Sequence, residues 1–209
     1  MTSAVATSSQ LGIPRRALFL IFTLSGVSAL LYQLIWQRAL LTIFGSNIES
    51  VTMVVSAFML GLGIGSLVGG AVSKRPGVPL LLIFAIVEIS IGLYGAISLH
   101  LFRWVGEAFA SGGSLQTGLV TFALILIPTL LMGSTLPLLV AHYVNATNNV
   151  GYSVSVLYFV NTLGAGIGAF LASFVVLGWL GLSGSVYVAV ALNVLAGLII
   201  LHHRRRSAP

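Results

Sequence analysis

The chain has 209 residues, of which 58% are hydrophobic and only 6% are charged, and its formal net charge is +6. This composition excludes an ordinary soluble globular domain and indicates a membrane protein. It does not favour nucleic-acid binding, because the basic residues cluster at the ends of apolar segments and are not interleaved with aromatic residues.

Six apolar segments have or approach the ~20 residues that a helix needs to cross ~30 Å of hydrocarbon. We place them at about 17–40, 51–73, 79–102, 115–143, 152–179 and 184–202. The sequence therefore predicts an all-α integral membrane domain over residues 15–203. A disordered cytoplasmic N-terminus at 1–14 and a basic cytoplasmic tail at 204–209 flank it.

The basic residues predict the orientation of the chain in the bilayer. With a cytoplasmic N-terminus, seven of the nine Lys and Arg residues fall on the cytoplasmic side: Arg15, Arg16, Lys74, Arg75, Arg204, Arg205 and Arg206. Only Arg38 and Arg103 fall outside. This bias follows the positive-inside rule, so both termini are predicted to be cytoplasmic.

The first segment ends in polar and aromatic residues: Tyr32, Gln33, Trp36 and Arg38. Such residues are typical of a helix that approaches a membrane interface. We interpret Trp36 and Arg38 as interface anchors, with the arginine extending its charge toward water.

Glycine and proline determine the expected packing of the longer segments. Glycines recur every four residues in the second segment and again in the fifth, which predicts close helix–helix approach; they are Gly61, Gly65, Gly69, Gly164 and Gly168. In the fourth segment, Pro128 and Pro137 predict a kink or local break. The carbonyls freed by these prolines need Ser, Thr or water as donors.

Glu88 lies halfway along the third segment, near the bilayer midplane, where a carboxylate is costly and is by default a functional-site hypothesis. Its predicted partners are neutral: Asn161, Asn193, Gln33 and Tyr32. Two interpretations stay open: a protonated carboxyl that joins helices, or a site for a proton, sodium or an organic amine. We predict no metal site and no cofactor, because the four histidines lie at helix ends and the chain has no Cys or Asp.

Two stretches of the chain repeat each other. Residues 60–66 match residues 163–169 at an offset of 103, and the pair Glu88 and Gly92 matches Asn193 and Gly197 at an offset of 105. Two units of three helices must run in opposite directions, so we predict a 3+3 inverted repeat over about 17–102 and 115–202. This arrangement resembles half of a major-facilitator transporter.

A set of short motifs covers nearly the whole chain. They are Ser25-Gly26, Tyr32-Gln33-x-x-Trp36-x-Arg38, Phe44-Gly45, Ala57-Phe58-Met59-x-Gly61-Leu62-x-x-Gly65-Ser66, Glu88, Pro128-Thr129-x-x-Met132-Gly133-x-Thr135-Leu136-Pro137-Leu138 and Leu157-Tyr158-x-x-Asn161-Thr162-Leu163-Gly164-Ala165. Together they resemble the membrane half of the bacterial fused spermidine-synthase-like proteins. In that family a soluble aminopropyltransferase-like domain follows the helices and holds the catalytic sites; nothing in this chain matches it.

The resemblance implies an accessory or anchor subunit in the bacterial inner membrane, beside a spermidine-synthase-like or methyltransferase-like enzyme or a larger complex. The alternative is a half-transporter that dimerises to move a small cationic or amine substrate, coupled through Glu88. The expected partners are therefore the lipid bilayer and either another protein chain or a second copy, and not nucleic acid. With three acidic residues and no catalytic constellation, enzymatic activity of this chain is disfavoured.

Overall fold

The computed structural model describes residues 12–44, 48–109 and 114–207, and all regular structure within them is helical, with no strand. The helices are α1 (Arg15–Phe44), α2 (Ile48–Ser73), α3 (Leu80–Ala108), α4 (Ser114–Thr147), α5 (Val150–Leu171) and α6 (Leu177–Ser207). A single wide turn with π-helical hydrogen bonding, Ala172–Val176, joins α5 to α6. The prediction of an all-α chain is confirmed for these residues.

Among the described residues, five helical stretches are long and apolar enough to cross a membrane, which suggests a membrane protein. Helices α1 to α4 provide one each, of 23 to 30 residues. The fifth runs from Val150 to Arg205 and has 56 residues, more than twice the ~20 that one crossing needs. Its helical geometry is interrupted at Gly181, where φ is 63° and ψ is −171°. This interruption falls in the predicted gap between the fifth and sixth segments.

The helices pack in three layers. The most extensive contacts pair α2 with α4, α1 with α5, and α3 with α6, and further contacts join α1 to α6 and α3 to α4. Within the described residues, α2 and α5 make no extensive contact with α3, and α2 makes none with α6. Helices α1 and α4 therefore form a middle layer between the α2/α5 layer and the α3/α6 layer.

Glycines lie where helix backbones approach most closely. A Cβ on Gly69 would come within 2.6 Å of the Ser134 carbonyl, and one on Gly168 within 2.5 Å of the Val27 carbonyl. Gly61, Gly65 and Gly164 face the backbone or side chain of the opposing helix in the same way. Small residues at these positions let dispersion contacts form between whole backbones.

Helix α4 continues through Pro128 and Pro137 and is not broken at either residue. A proline at 128 leaves the carbonyl of Leu124 without its helical donor. The hydroxyl of Tyr94 on α3 donates to that oxygen at 2.7 Å. The donor is therefore a tyrosine from a neighbouring helix, where the sequence analysis expected Ser, Thr or water.

The ends of the chain are only partly described. Most of the predicted N-terminal segment 1–14 lies outside the described residues, but Ile13 is buried against the end of the helical core. The predicted tail at 204–209 begins inside α6, which runs to Ser207.

Candidate functional site

Glu88 on α3 is completely enclosed, and two side chains from other helices donate hydrogen bonds to its carboxyl group. The hydroxyl of Ser25 on α1 donates to Oε1 at 2.6 Å. The amide nitrogen of Asn193 on α6 donates to Oε2 at 2.5 Å. We refer to Ser25, Glu88 and Asn193 as the Glu88 triad, which joins one helix of the middle layer to both helices of the α3/α6 layer.

Two glycines, each one helical turn from a polar residue of the triad, allow α3 and α6 to approach each other closely. Gly92 follows Glu88 by four residues and faces Val190 and Val194 of α6. Gly197 follows Asn193 by four residues and faces the same side of α3; its neighbours there are Ala85 and Ile89. Each contact of one helix thus has a counterpart on the other helix, 105 positions away in the chain.

The triad contains no cation. Within the described residues, no Lys, Arg or His forms an ion pair with Glu88, and both groups that donate to it are neutral. The side-chain amide oxygen of Asn193, Oδ1, is buried and has no hydrogen-bond partner. Ser28, also buried, donates to the carbonyl of Ser25 at 2.9 Å and so belongs to the helix and not to the carboxyl group.

Tyr32, a predicted partner of Glu88, is fully buried but forms no hydrogen bond with it. Its ring stacks on Trp36, with centroids 4.9 Å apart, and occupies the space that Gly95 leaves on α3. It lies seven residues beyond Ser25, about two turns along α1. The Tyr32 hydroxyl has no partner among the described residues.

The other two predicted partners also lie elsewhere. The amide of Asn161 donates to the Phe22 carbonyl at 3.1 Å and holds α5 against α1. Gln33 is half-buried on α1. Of the four predicted partners, only Asn193 binds Glu88. Sequence reasoning missed Ser25 as a site residue, although its depth on the first segment matches that of Glu88.

Trp36, which the sequence analysis interpreted as an interface anchor, lies inside the helical bundle. Its side chain is completely buried, and its indole nitrogen donates to Ser98 Oγ at 2.9 Å. Rings surround it on the remaining sides; they belong to Tyr32, Phe58, Tyr94 and Phe102. Helix α1 continues to Phe44, so Trp36 lies about two turns inside the helix end.

Arg38 is exposed, as an anchor would be, and lines a cleft between α1 and the turn that precedes α6. The cleft has a volume of 210 Å³, and Gln37 and Ser173 are its other polar residues. No group of three His, Asp or Glu side chains that could hold a metal ion occurs in the described part of the chain.

In the described part of the chain, all regular structure is helical, and its long helices are apolar enough to cross a membrane. Three of the helices enclose a carboxyl, an amide and a hydroxyl group that bind one another. No family model, curated protein or solved structure matches this chain.

Proposed function

We propose that this chain is an integral-membrane accessory subunit that binds a second protein in the bacterial inner membrane, with both termini cytoplasmic. The partner class is a spermidine-synthase-like or methyltransferase-like enzyme, or a larger membrane complex. The motif resemblance supports the partner class, and the distribution of Lys and Arg supports the orientation.

In this proposal the chain crosses the membrane six times as a 3+3 inverted repeat. Paired contacts support it. Gly65 faces Leu130, and Gly168 faces Val27; both glycines and both opposing residues are 103 positions apart. In the proposed repeat, α1 corresponds to α4 and α2 corresponds to α5. The packing of α2 on α4 therefore has its counterpart in the packing of α5 on α1.

The observation that carries the proposal is how the buried polar groups are used. The carboxyl group of Glu88 binds Ser25 and Asn193, and the amide of Asn161 binds the backbone of α1. These groups connect helices to one another and do not meet along a common path. That arrangement favours a rigid module over a conduit.

The outer face of the α2/α5 layer supports a protein partner. Its exposed residues include Ser56, Gly63 and Ser66 on α2, and Ser155, Thr162 and Gly166 on α5. Large apolar side chains such as Met59, Leu67 and Phe159 are exposed among them. On the middle of α3 the exposed residues are all large and aliphatic, without small residues between them: Ile86, Leu93 and Ile97. Small and hydroxyl residues favour helix association in lipid. An open groove of 550 Å³ follows α5 around Gly166.

Native mass spectrometry of the protein, extracted gently from its own membrane, tests the proposal. We expect a stable complex with a different polypeptide. Gly63→Phe and Gly166→Phe should abolish the complex without unfolding the chain, because a Cβ at either position meets no atom within 4 Å. Ile97→Phe on α3 is the matched control and should leave the complex intact. A monomer in native lipid, or a complex that survives both glycine substitutions, would contradict the proposal.

A second candidate is a half-transporter formed by two copies of the chain. The paired contacts and the buried carboxyl group favour it, since transporter halves place their binding residues at the repeat interface near the midplane. It predicts a homodimer in the same mass spectra. It also predicts amine uptake into proteoliposomes that is lost in Glu88→Gln while the dimer persists.

A further inference from the structure

In the Glu88 triad, the side-chain amide oxygen of Asn193 lacks a hydrogen-bond donor. The side chain is 1% exposed, its nitrogen donates to Glu88 Oε2, and Oδ1 beside it has no donor. Two acceptor groups therefore lie together, the carboxyl and the amide oxygen, in a site with no cation. One additional hydrogen between them would give the amide oxygen the donor that it lacks.

We propose that Glu88 is a proton-binding site and that the side-chain amide of Asn193 rotates by half a turn when the proton binds. This inference goes beyond the proposed function and does not depend on whether the chain binds a partner.

The chemistry requires only a proton from bulk water. The proton forms an O–H bond at Oε2 of Glu88, and the negative charge of the carboxylate disappears. Rotation of the Asn193 amide by half a turn then places Oδ1 opposite that O–H and gives it the donor that it lacks. The amide nitrogen loses one neutral hydrogen bond, which costs less than an unpaired charge in a low-dielectric interior.

A proton suits this site better than a larger cation. Glu88 and Asn193 are 0% and 1% exposed, and Ser25 is 7% exposed, so the surrounding helices close around the carboxyl group. A proton adds no volume, whereas a sodium ion or an organic amine needs room and several more oxygen ligands.

No neighbouring charge competes with the proton. The α1 side carries the Tyr32 phenol two turns from Ser25, and α3 itself carries the Tyr94 phenol, whose hydroxyl is bound to α4. On α4 the titratable side chain within the described core is Tyr143, in the cluster around Phe19. On α6 the ionisable side chains nearest to Asn193 are the phenol of Tyr187, which is 54% exposed and nearly two turns from Asn193, and the imidazoles of His202 and His203, which lie more than two turns away on the other side.

Infrared spectroscopy tests the proposal, because the chain has few acidic side chains to which a carboxylic-acid band could be assigned. The whole chain has three acidic side chains, Glu49, Glu88 and Glu107. We expect the carbonyl stretch of a protonated carboxylic acid in the wild-type protein at neutral pH, shifted in heavy water. It should be lost in Glu88→Gln and retained in Glu107→Gln. A spectrum without this band at neutral pH, or a band that persists in Glu88→Gln, would overturn the proposal.

The role of Asn193 has its own readout. Asn193→Leu removes the acceptor, so the acid O–H becomes free and the band should move to higher frequency. Asn193→Ala tests the same point if the leucine side chain prevents assembly. A band at the wild-type frequency in either variant would show that the amide oxygen does not accept the proton.

Discussion

The substitution Gly168→Ala tests whether glycine sets the distance between α1 and α5. A Cβ at this position would lie 2.5 Å from the carbonyl oxygen of Val27 and 2.8 Å from its Cα. Close carbon-to-oxygen contacts between helices are about 3.3–3.6 Å, so the helices would have to separate by about 1 Å. Overpacking of this kind costs about 1–3 kcal/mol.

Gly166→Ala is the matched control, because it lies two residues away on the same helix and its Cβ would meet no atom within 4 Å. Both substitutions gain the same helix propensity, about 0.5–1 kcal/mol, so their difference isolates the packing cost. The free energy of unfolding, measured by denaturant titration in mixed micelles, should be lower for Gly168→Ala by about 1–3 kcal/mol. Equal stability of the two variants would refute the close approach of α1 and α5.

Two other contacts give predictions with the same assay or with fluorescence. Tyr94→Phe removes the donor to the carbonyl that Pro128 leaves free, so we expect a loss of about 1–3 kcal/mol that shrinks in a Pro128→Ala background, where a backbone N–H replaces the hydroxyl. An equal loss in both backgrounds would contradict this role. In a variant with Trp104→Phe and Trp179→Phe, brominated lipid should quench Trp36 weakly, because Trp36 is enclosed while the other two are 63% and 85% exposed. Quenching as strong as that of Trp104 would contradict the burial.

The length and apolar character of the helices could be predicted from the sequence, because a membrane span needs a long uninterrupted apolar run. The rotation of each helix could not. Counting residues gives depth along an axis, but each residue also turns about 100° around it, and depth alone does not show which side chains meet. Asn193 was predicted to meet Glu88 and does, whereas Asn161, at a similar depth, binds the backbone of α1.

Two contacts of α1 were not predicted, for specific reasons. Ser25 was missed because a serine inside a helix usually bonds to its own backbone, so its matching depth alone did not indicate that it binds Glu88. The burial of Trp36 was not predicted because a tryptophan close to an arginine near the end of an apolar segment is typical of a membrane interface. Its burial depends on packing against α2 and α3, where Phe58 and Phe102 contact its ring and Ser98 accepts a hydrogen bond from the indole nitrogen.

The pairing of Glu88 with Asn193 follows from where the proposed repeat brings its two halves together. The two residues occupy corresponding positions, 105 apart, and contact each other. Two identical carboxylates at such a contact would repel, and two identical amides would carry no exchangeable charge. One carboxyl and one amide instead form a donor–acceptor pair that remains joined in either protonation state, provided that the amide can turn. A change in protonation at this contact would therefore alter the hydrogen bonding between α3 and α6 without separating them.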